Sequence, residues 1–237
     1  MNGTLIGVGV GPGSPDLLTL RALKTLESAD VVFAPSMALD VESRAESIAT
    51  KALPGLVVQR LVFAILRDSD TRHRAHQQAA LVVNNALLDG ATAAFITLGD
   101  PNIYSTFHHL AAEVKALQPA IVIETVPGIM AFQALASDAS IVVTDDVEKL
   151  RIVTAVDGLD DVEDALTDTS SAVVIYKGGR RFSDIASLLD RCGRLKGAYF
   201  GELLGLDSPT VAQVAEVAKE PAAYLSTIVV PPKRSPQ

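Results

Sequence analysis

The sequence predicts an α/β fold, built as two α/β domains on mainly parallel sheets, and three observations lead to it. Short runs rich in β-branched residues recur along the chain, longer segments with apolar residues at helical spacing lie between most of them, and glycine and proline mark the joints. With 237 residues, the chain can form one large domain or two modest ones, each able to bury its own core.

In chain order, strands are expected over residues 4–10, 30–34, 56–63, 92–98, 120–126, 151–156, 172–176, 197–200 and 223–230. After the first strand, Ser14 is a good N-cap, Pro15 fits a first helical position, and Asp16 suits the positive end of the helix dipole. A later helix is expected to close at Asp89-Gly90. In 104–118, Phe107, Leu110, Ala111, Val114 and Leu117 form one apolar stripe at helical spacing. The turn pair Pro127-Gly128 sets the expected boundary between a domain over 1–126 and another over 127–232, with 233–237 as a frayed tail.

Composition narrows the function. Apolar residues make up 49% of the chain and charged residues 20%, which is globular. Aromatics are only 5% and Trp is absent, leaving little material for stacking nucleic-acid bases. A formal net charge of -8 argues against bulk affinity for nucleic acid or an anionic membrane. The lone Cys192 cannot form an internal disulfide, which suits a reducing cytosol. No signal peptide or bilayer-spanning run is expected, so the sequence reads as a cytoplasmic protein.

Two loops carry the chemistry. Gly7, Gly9, Gly11, Pro12 and Gly13 lie between the first strand and the first helix, a context that suits close approach of backbone to a ligand. The dinucleotide fingerprint fails there in both frames, because Pro12 or Ser14 occupies the third glycine position. No Gly-Lys-Ser/Thr follows either, which removes the phosphate-loop pattern. A bare strand-to-helix connection fits the same residues equally well. The second loop, Gly99-Asp100-Pro101, lies at the end of an expected strand, where parallel sheets bind ligands. Asp100 could hydrogen-bond a ligand there or simply make an Asx turn before proline.

Taken together, the motifs resemble the tetrapyrrole methylase family. LIGVGVGPGSPDLLTLRALKTLESADVV resembles its opening strand, loop and helix, LGDPNIYSTF its second signature and TVPGIMAFQA its third; VVIYKGG and AYLSTIVV continue the likeness more weakly. RLVFAILRD, followed by the Tyr-Ser-Thr-Phe continuation, points within the family to the branch that methylates carbon 20 of precorrin-2. The sequence departs from the pattern where Met130 and Ala131 stand in place of the usual small hydroxyl residues, where Ala64 replaces a proline, and in the segment SDASIVVTDD, which is unlike the common continuation.

The resemblance implies two α/β domains with S-adenosyl-L-methionine in the cleft between them, a tetrapyrrole substrate alongside, and a homodimer. S-adenosyl-L-homocysteine would be the product. Carried onto this sequence, the cofactor contacts are Val10, Gly11 and Pro12, then Asp100, Ile103, Tyr104, Ser105 and Thr106, then Met130 and Ala131. Tyr176, Lys177, Glu202, Leu203 and Thr227 complete the set. Tyr104 and Asp100 are the candidates for a catalytic acid or base; the resemblance supplies no assigned one. Precorrin-2, its cobalt form, or another precorrin carbon remain open as targets, as does a nucleotide-binding module without turnover. A nicotinamide oxidoreductase is disfavoured, because the second strand ends in Ala34-Pro35-Ser36 rather than in an acid.

A substrate bearing many carboxylates needs basic partners, and Arg67, Arg72, His73, Arg74, Lys177, Arg180 and Arg181 are the available clusters, although solvated helix faces are the plainer account of each. His73 and His76 are three apart, and His108-His109 are adjacent and so point apart. Neither pair gains the third or fourth ligand a zinc site needs, so no metal is expected.

Overall fold

The computed structural model describes residues 3–63, 69–206, 209–217, 222 and 225–234, without the side chains of Ser69 and Arg72. The chain divides into two compact units, Met1–Met130 and Ala131–Gln237.

The first unit holds an all-parallel sheet. Its strands are β1 (Thr4–Gly9), β2 (Val31–Ser36), β3 (Val58–Val62), β4 (Thr92–Thr97) and β5 (Val122–Val126), in the order β3-β2-β4-β1-β5. Its helices are α1 (Leu20–Ser28), α2 (Arg44–Ala52), α3 (Ser69–Ala86) and α4 (Phe107–Leu117). Alternation along the central strand β4 builds both cores. Ala93 and Phe95 face a cluster with residues of α3 and α4, and Ala94 and Ile96 face one with residues of α1 and α2. All four are fully buried, the expected state of a strand covered on both faces. The stripe on α4 packs as expected through Phe107, Leu110, Ala111 and Val114, but Leu117, in the last turn, is exposed.

The order of the strands places a functional edge. The chain leaves β1 toward β2, past β4, and leaves β4 toward β5, past β1, so the connections from two neighbouring strands run in opposite directions over opposite faces of the sheet. Such a reversal opens a crevice beyond the carboxyl ends of the strands.

The start of the first helix differs from expectation. Pro15–Leu17 make a single short turn without a capping bond from Ser14, whose hydroxyl donates to the Asp16 carboxylate instead. Leu18 is extended, which ends that turn, and α1 begins only after Thr19, whose hydroxyl accepts from the Ala22 N–H at 3.1 Å. The helix expected to close at Asp89-Gly90 ends earlier, at Ala86, and a short turn over Leu88–Gly90 follows it, in which Asp89 and Gly90 are left-handed with φ of 61° and 85°.

The second unit holds β6 (Lys149–Thr154), β7 (Ser171–Tyr176), β8 (Tyr199–Glu202), β9 (Thr210–Gln213) and β10 (Ser226–Val230), in the order β6-β7-β10-β8-β9. Parallel pairing dominates the chain but not this sheet. Among the described residues, β6 and β7 alone pair in parallel here: β10 inserts antiparallel between β7 and β8, and β9 runs antiparallel to β8. Helices α6 (Asp160–Thr167) and α7 (Phe182–Arg191) cover one face, with Val162, Ile185, Leu189 and Phe200 in the core; α5 (Ala131–Asp138) covers the other through Leu135.

Arg194 is buried in this unit and donates to the carbonyls of Leu166 (3.4 Å), Asp168 (3.2 Å), Ser171 (2.9 Å) and Pro231 (3.0 Å). Residues 233 and 234, read above as the start of a frayed tail, are tied down. The Lys233 N–H donates to the Thr169 carbonyl, and Arg234 pairs bidentately with Glu148. Residues 235–237 lie outside the described residues.

Candidate functional site

Three loops follow β1, β4 and β5 at the carboxyl edge of the first sheet, and backbone alone joins them. The Val10 N–H donates to the Thr97 carbonyl, and the Gly99 N–H donates to the Gly11 carbonyl, both at 2.9 Å. A Cβ on Gly9 would lie 2.4 Å from the Gly99 oxygen, and one on Gly128 would lie 2.1 Å from it. No side chain fits at either position, so the close approach of three chains requires glycine here. Gly11 and Gly99 are also left-handed, with φ of 81° and 63°.

Asp100 braces this junction. One carboxylate oxygen accepts from the Asn102 N–H at 2.8 Å, and the other accepts from the Gly128 N–H at 3.1 Å. The Asx turn foreseen before Pro101 therefore exists, and the same side chain also ties the β4 loop to the β5 loop. The Asn102 amide adds a bond to the Thr125 hydroxyl at 3.3 Å. Ser105 shares a hydrogen bond with the buried Thr97 hydroxyl at 3.0 Å and accepts from the Phe107 N–H at 3.1 Å, a local turn that leads into α4.

Ile103 and Tyr104 are exposed on this loop, and Tyr104 adopts a left-handed φ of 50°. A non-glycine residue held there marks a loop whose path its surroundings dictate. Val10 is buried in the core that α1 and α2 share, so only its backbone can reach a ligand; Met130 is buried too. Pro12 is half-buried beside Gly11, and Thr106 is half-buried one residue before α4.

The remaining expected contacts lie in the second unit, again on one edge. Strands β6, β7 and β8 run in the same direction, so the carboxyl ends of β7 and β8 and the amino end of β10 share it. Tyr176 ends β7 opposite Thr227, and Glu202 ends β8 opposite Ser226. Lys177 and Leu203 follow directly with φ of 58° and 55°. The Phe132 N–H, one residue after Ala131, donates to the Tyr176 hydroxyl oxygen at 3.1 Å. Burial pushes the Tyr176 hydroxyl up to about 12 and lowers the Lys177 ammonium below its usual range.

The basic clusters separate. Arg67 and Ala64 lie outside the described residues, as does the side chain of Arg72. Arg74 and His73 are exposed on α3, where the His73 Nδ1 is 3.3 Å from a Glu113 oxygen, and Arg180 and Arg181 are exposed in the second unit. All four histidines fall on α3 and α4, with the ring of His109 5.3 Å from His76 and 3.7 Å from His108. Among the described residues, no group of three or more His, Cys, Asp and Glu side chains could hold a metal ion.

Sequence reading missed Gly128 as a contact for Asp100, along with Thr97 and Thr125 as hydroxyl partners. Gly128 lay within a quoted motif, whereas nothing in the sequence pairs positions 28 residues apart.

Residues 4–216 match the model of the tetrapyrrole (corrin/porphyrin) methylases. A precorrin-2 C(20)-methyltransferase from Sinorhizobium sp is 30% identical, over 97% of this chain and 95% of its own length. A cobalt-precorrin-2 C(20)-methyltransferase from Salmonella typhimurium is 29% identical, over 97% of each chain. Among solved structures, the cobalt precorrin-4 methyltransferase CbiF superposes with a TM-score of 0.71 at 16% identity, covering 96% of this chain and 94% of that one; it speaks to the fold alone.

Proposed function

Because the chain belongs to the tetrapyrrole (corrin/porphyrin) methylases, we propose that it transfers a methyl group from S-adenosyl-L-methionine to carbon 20 of precorrin-2, in cobalamin biosynthesis. One observation carries the reading at the level of the site: Gly9, Gly99, Gly128 and Asp100 lock three loops together at the carboxyl edge where the strand order reverses. The cobalt form of the substrate is the second reading, favoured by the relative named for it. A homodimer in the cytoplasm completes the proposal and is open to light scattering and fractionation.

The residues present fit the cofactor. Gly11 and Gly99 take left-handed conformations at this edge and bring no side chain to it, and the exposed Ile103 and Tyr104 offer apolar and aromatic surface on the β4 loop. Val10, Gly11, Pro12, Asp100, Ile103, Tyr104, Ser105, Thr106 and Met130 would hold it from the first unit. Ala131, Tyr176, Lys177, Glu202, Leu203 and Thr227 are proposed as contacts from the second. When bound, the cofactor supplies an electrophilic methyl on sulfur.

The chain's own task is positioning, since an in-line displacement gains most from alignment of the reacting atoms. A rigid three-loop junction suits that task. Loop carbonyls can also add weak C–H···O contacts to a polarised methyl. Asp100 acts as a brace in this scheme, because both of its oxygens are engaged within the loops.

The test is an anaerobic incubation with S-adenosyl-L-methionine and precorrin-2, with and without cobalt, read by mass spectrometry with fragmentation. A gain of one methyl at carbon 20 is expected; a methyl on another carbon overturns the regiochemistry, and binding without transfer overturns the enzyme. Replacing Asp100 with Ala should weaken cofactor binding roughly tenfold or more, the cost of leaving the Gly128 N–H unpaired in a loosened junction. Unchanged affinity by calorimetry would remove Asp100 from the site.

A further inference from the structure

The stretch SDASIVVTDD, residues 137–146, departs from the family pattern, and the structure ties it to a segment far away in the chain. It leaves α5 through a left-handed Ser140, with φ of 54°, and the Ile141 N–H donates to the Ala136 carbonyl at 2.9 Å. Val142 is then exposed between the half-buried Ile141 and Val143. Those two side chains pack against a small core around Leu135 and Val174, and Ala131, Phe132 and Tyr176 pack against the same core. The stretch therefore shares its support with Ala131 and Tyr176, two of the proposed cofactor contacts.

Arg234 holds the stretch from outside that core. Beyond β10 the backbone is anchored before it reaches this residue. The Pro231 carbonyl accepts from Arg194 at 3.0 Å, Pro232 is buried, and the Lys233 N–H donates to the Thr169 carbonyl at 2.8 Å. From there the Arg234 guanidinium grips Glu148 at 2.9 and 2.7 Å and donates to the Val142 carbonyl at 3.2 Å. Glu148 also accepts from the Asp145 N–H at 2.7 Å, which closes the turn around the left-handed Asp146. A planar guanidinium held by two parallel bonds has one orientation, so its third bond fixes the place of Val142. A partly exposed ion pair adds little stability by itself. Its value here is geometric, because it joins positions 86 residues apart.

Resting on the methylase reading, we propose that Arg234 is a positioning residue for cofactor binding: by clasping Glu148 and the Val142 carbonyl, it holds Ile141 and Val143 against the core that seats Ala131 and Tyr176. Arg234 acts through that core rather than on a ligand. Loss of the clasp loosens the seat of both contacts, so cofactor affinity falls while the handling of the tetrapyrrole does not.

The experiment measures calorimetric binding of S-adenosyl-L-homocysteine and the kinetics of precorrin-2 methylation. Arg234→Ala should weaken binding about threefold to fivefold, the scale of a well-formed exposed pair, and raise the KM for S-adenosyl-L-methionine to match. Its kcat and its KM for the tetrapyrrole should stay within about 1.5-fold of wild type. Arg234→Lys, which keeps the charge without the fork, should recover part of the loss. Glu148→Gln, which keeps an acceptor for the Asp145 N–H, should approach Arg234→Ala, and the double variant should be no worse than either single one. Arg151→Ala breaks the exposed pair with Asp164, 2.6 Å long and in the same unit, and should change nothing. Affinity within about 1.5-fold of wild type in Arg234→Ala and Glu148→Gln overturns the positioning role. So does a loss that Arg151→Ala reproduces, one that falls on kcat or on the tetrapyrrole KM instead, or losses that add in the double variant. If Arg234→Ala does not fold, Glu148→Gln decides. If the wild type binds the demethylated cofactor and the variants match it, this inference falls and the function stands; if the wild type binds no cofactor, both fall.

Discussion

At the carboxyl edge of the first sheet, backbone packs on backbone, with Gly9, Gly99 and Gly128 in mutual contact. At the equivalent edge of the second sheet, side chains occupy the turning positions, and Lys177 and Leu203 take left-handed conformations that glycine would adopt freely. The first edge spends its sequence on shape and the second on chemical groups. Substitutions should therefore fail in opposite ways in the two units: added atoms break the first, while removed atoms leave the second folded but altered.

The largest effect is expected from the lock that closes the second unit. Arg194 satisfies four carbonyls around the end of α6, the start of β7 and the exit of β10, without a hydrogen-bonded acid among them. Arg194→Met keeps much of the volume and strands those oxygens, at a cost of about 3 kcal/mol or more. Urea unfolding measures it. A loss under about 1 kcal/mol would show that the carbonyls find other donors and that the unit does not depend on this residue.

Next in size is Gly128→Ala. The new Cβ would meet the Gly99 oxygen at 2.1 Å, and both neighbours are backbone, so the loops must separate. Overpacking of this kind costs about 1–3 kcal/mol. The same separation should lower cofactor affinity by at least a factor of ten. A stable variant with wild-type affinity would refute the three-loop junction as the binding element.

These two residues also mark what could be read in the sequence. The strands of the first unit and the glycine-rich loops were legible, because periodicity and turn residues are local signals. Strand β9 was not: Thr210–Gln213 is only four residues long, and Val211, Val214 and Val217 repeat at a helical interval. The antiparallel insertion of β10 left no local trace either, since its residues read the same whichever way the neighbours run. Of the candidate site, the motif residues were visible, whereas the bond from Asp100 to Gly128 and the shared hydrogen bond of Ser105 with Thr97 are products of the fold. Arg194 looked like any surface arginine, because nothing in its neighbours foretells complete burial.

A smaller effect on stability, with the opposite logic, is expected at Lys177. Its left-handed φ costs a side-chain-bearing residue about 1–2 kcal/mol, while glycine there adds unfolded-state entropy of about 0.4–1 kcal/mol. Lys177→Gly should thus leave stability within about 1 kcal/mol of wild type. If the ammonium serves the cofactor or the substrate, the same variant loses affinity roughly tenfold, the scale of one charge-assisted bond. A variant that unfolds would break the contrast between the two edges. One that folds and binds normally would assign Lys177 to neither ligand.

The smallest effect separates the units by pH. Asp168, near the Arg194 lock, accepts from the Ser170 and Ser171 hydroxyls at 2.6 Å each and from the Ser170 N–H at 3.0 Å. The Ser170 hydroxyl leads these bonds in holding its carboxyl down at about 2. Because the folded value lies below the unfolded one, the contribution is full above the usual carboxylate range of about 4. It is lost as pH falls from that range through about 2, below which the carboxyl is protonated in both states. Urea midpoints recorded across that window should decline less steeply for Asp168→Asn than for wild type. Gly128→Ala, in the other unit, should shift the whole curve down without changing its slope. Parallel curves for Asp168→Asn and wild type would mean that the serine hydroxyls do not hold the carboxylate in solution, and the acid-sensitive element would then have to be sought elsewhere in the chain.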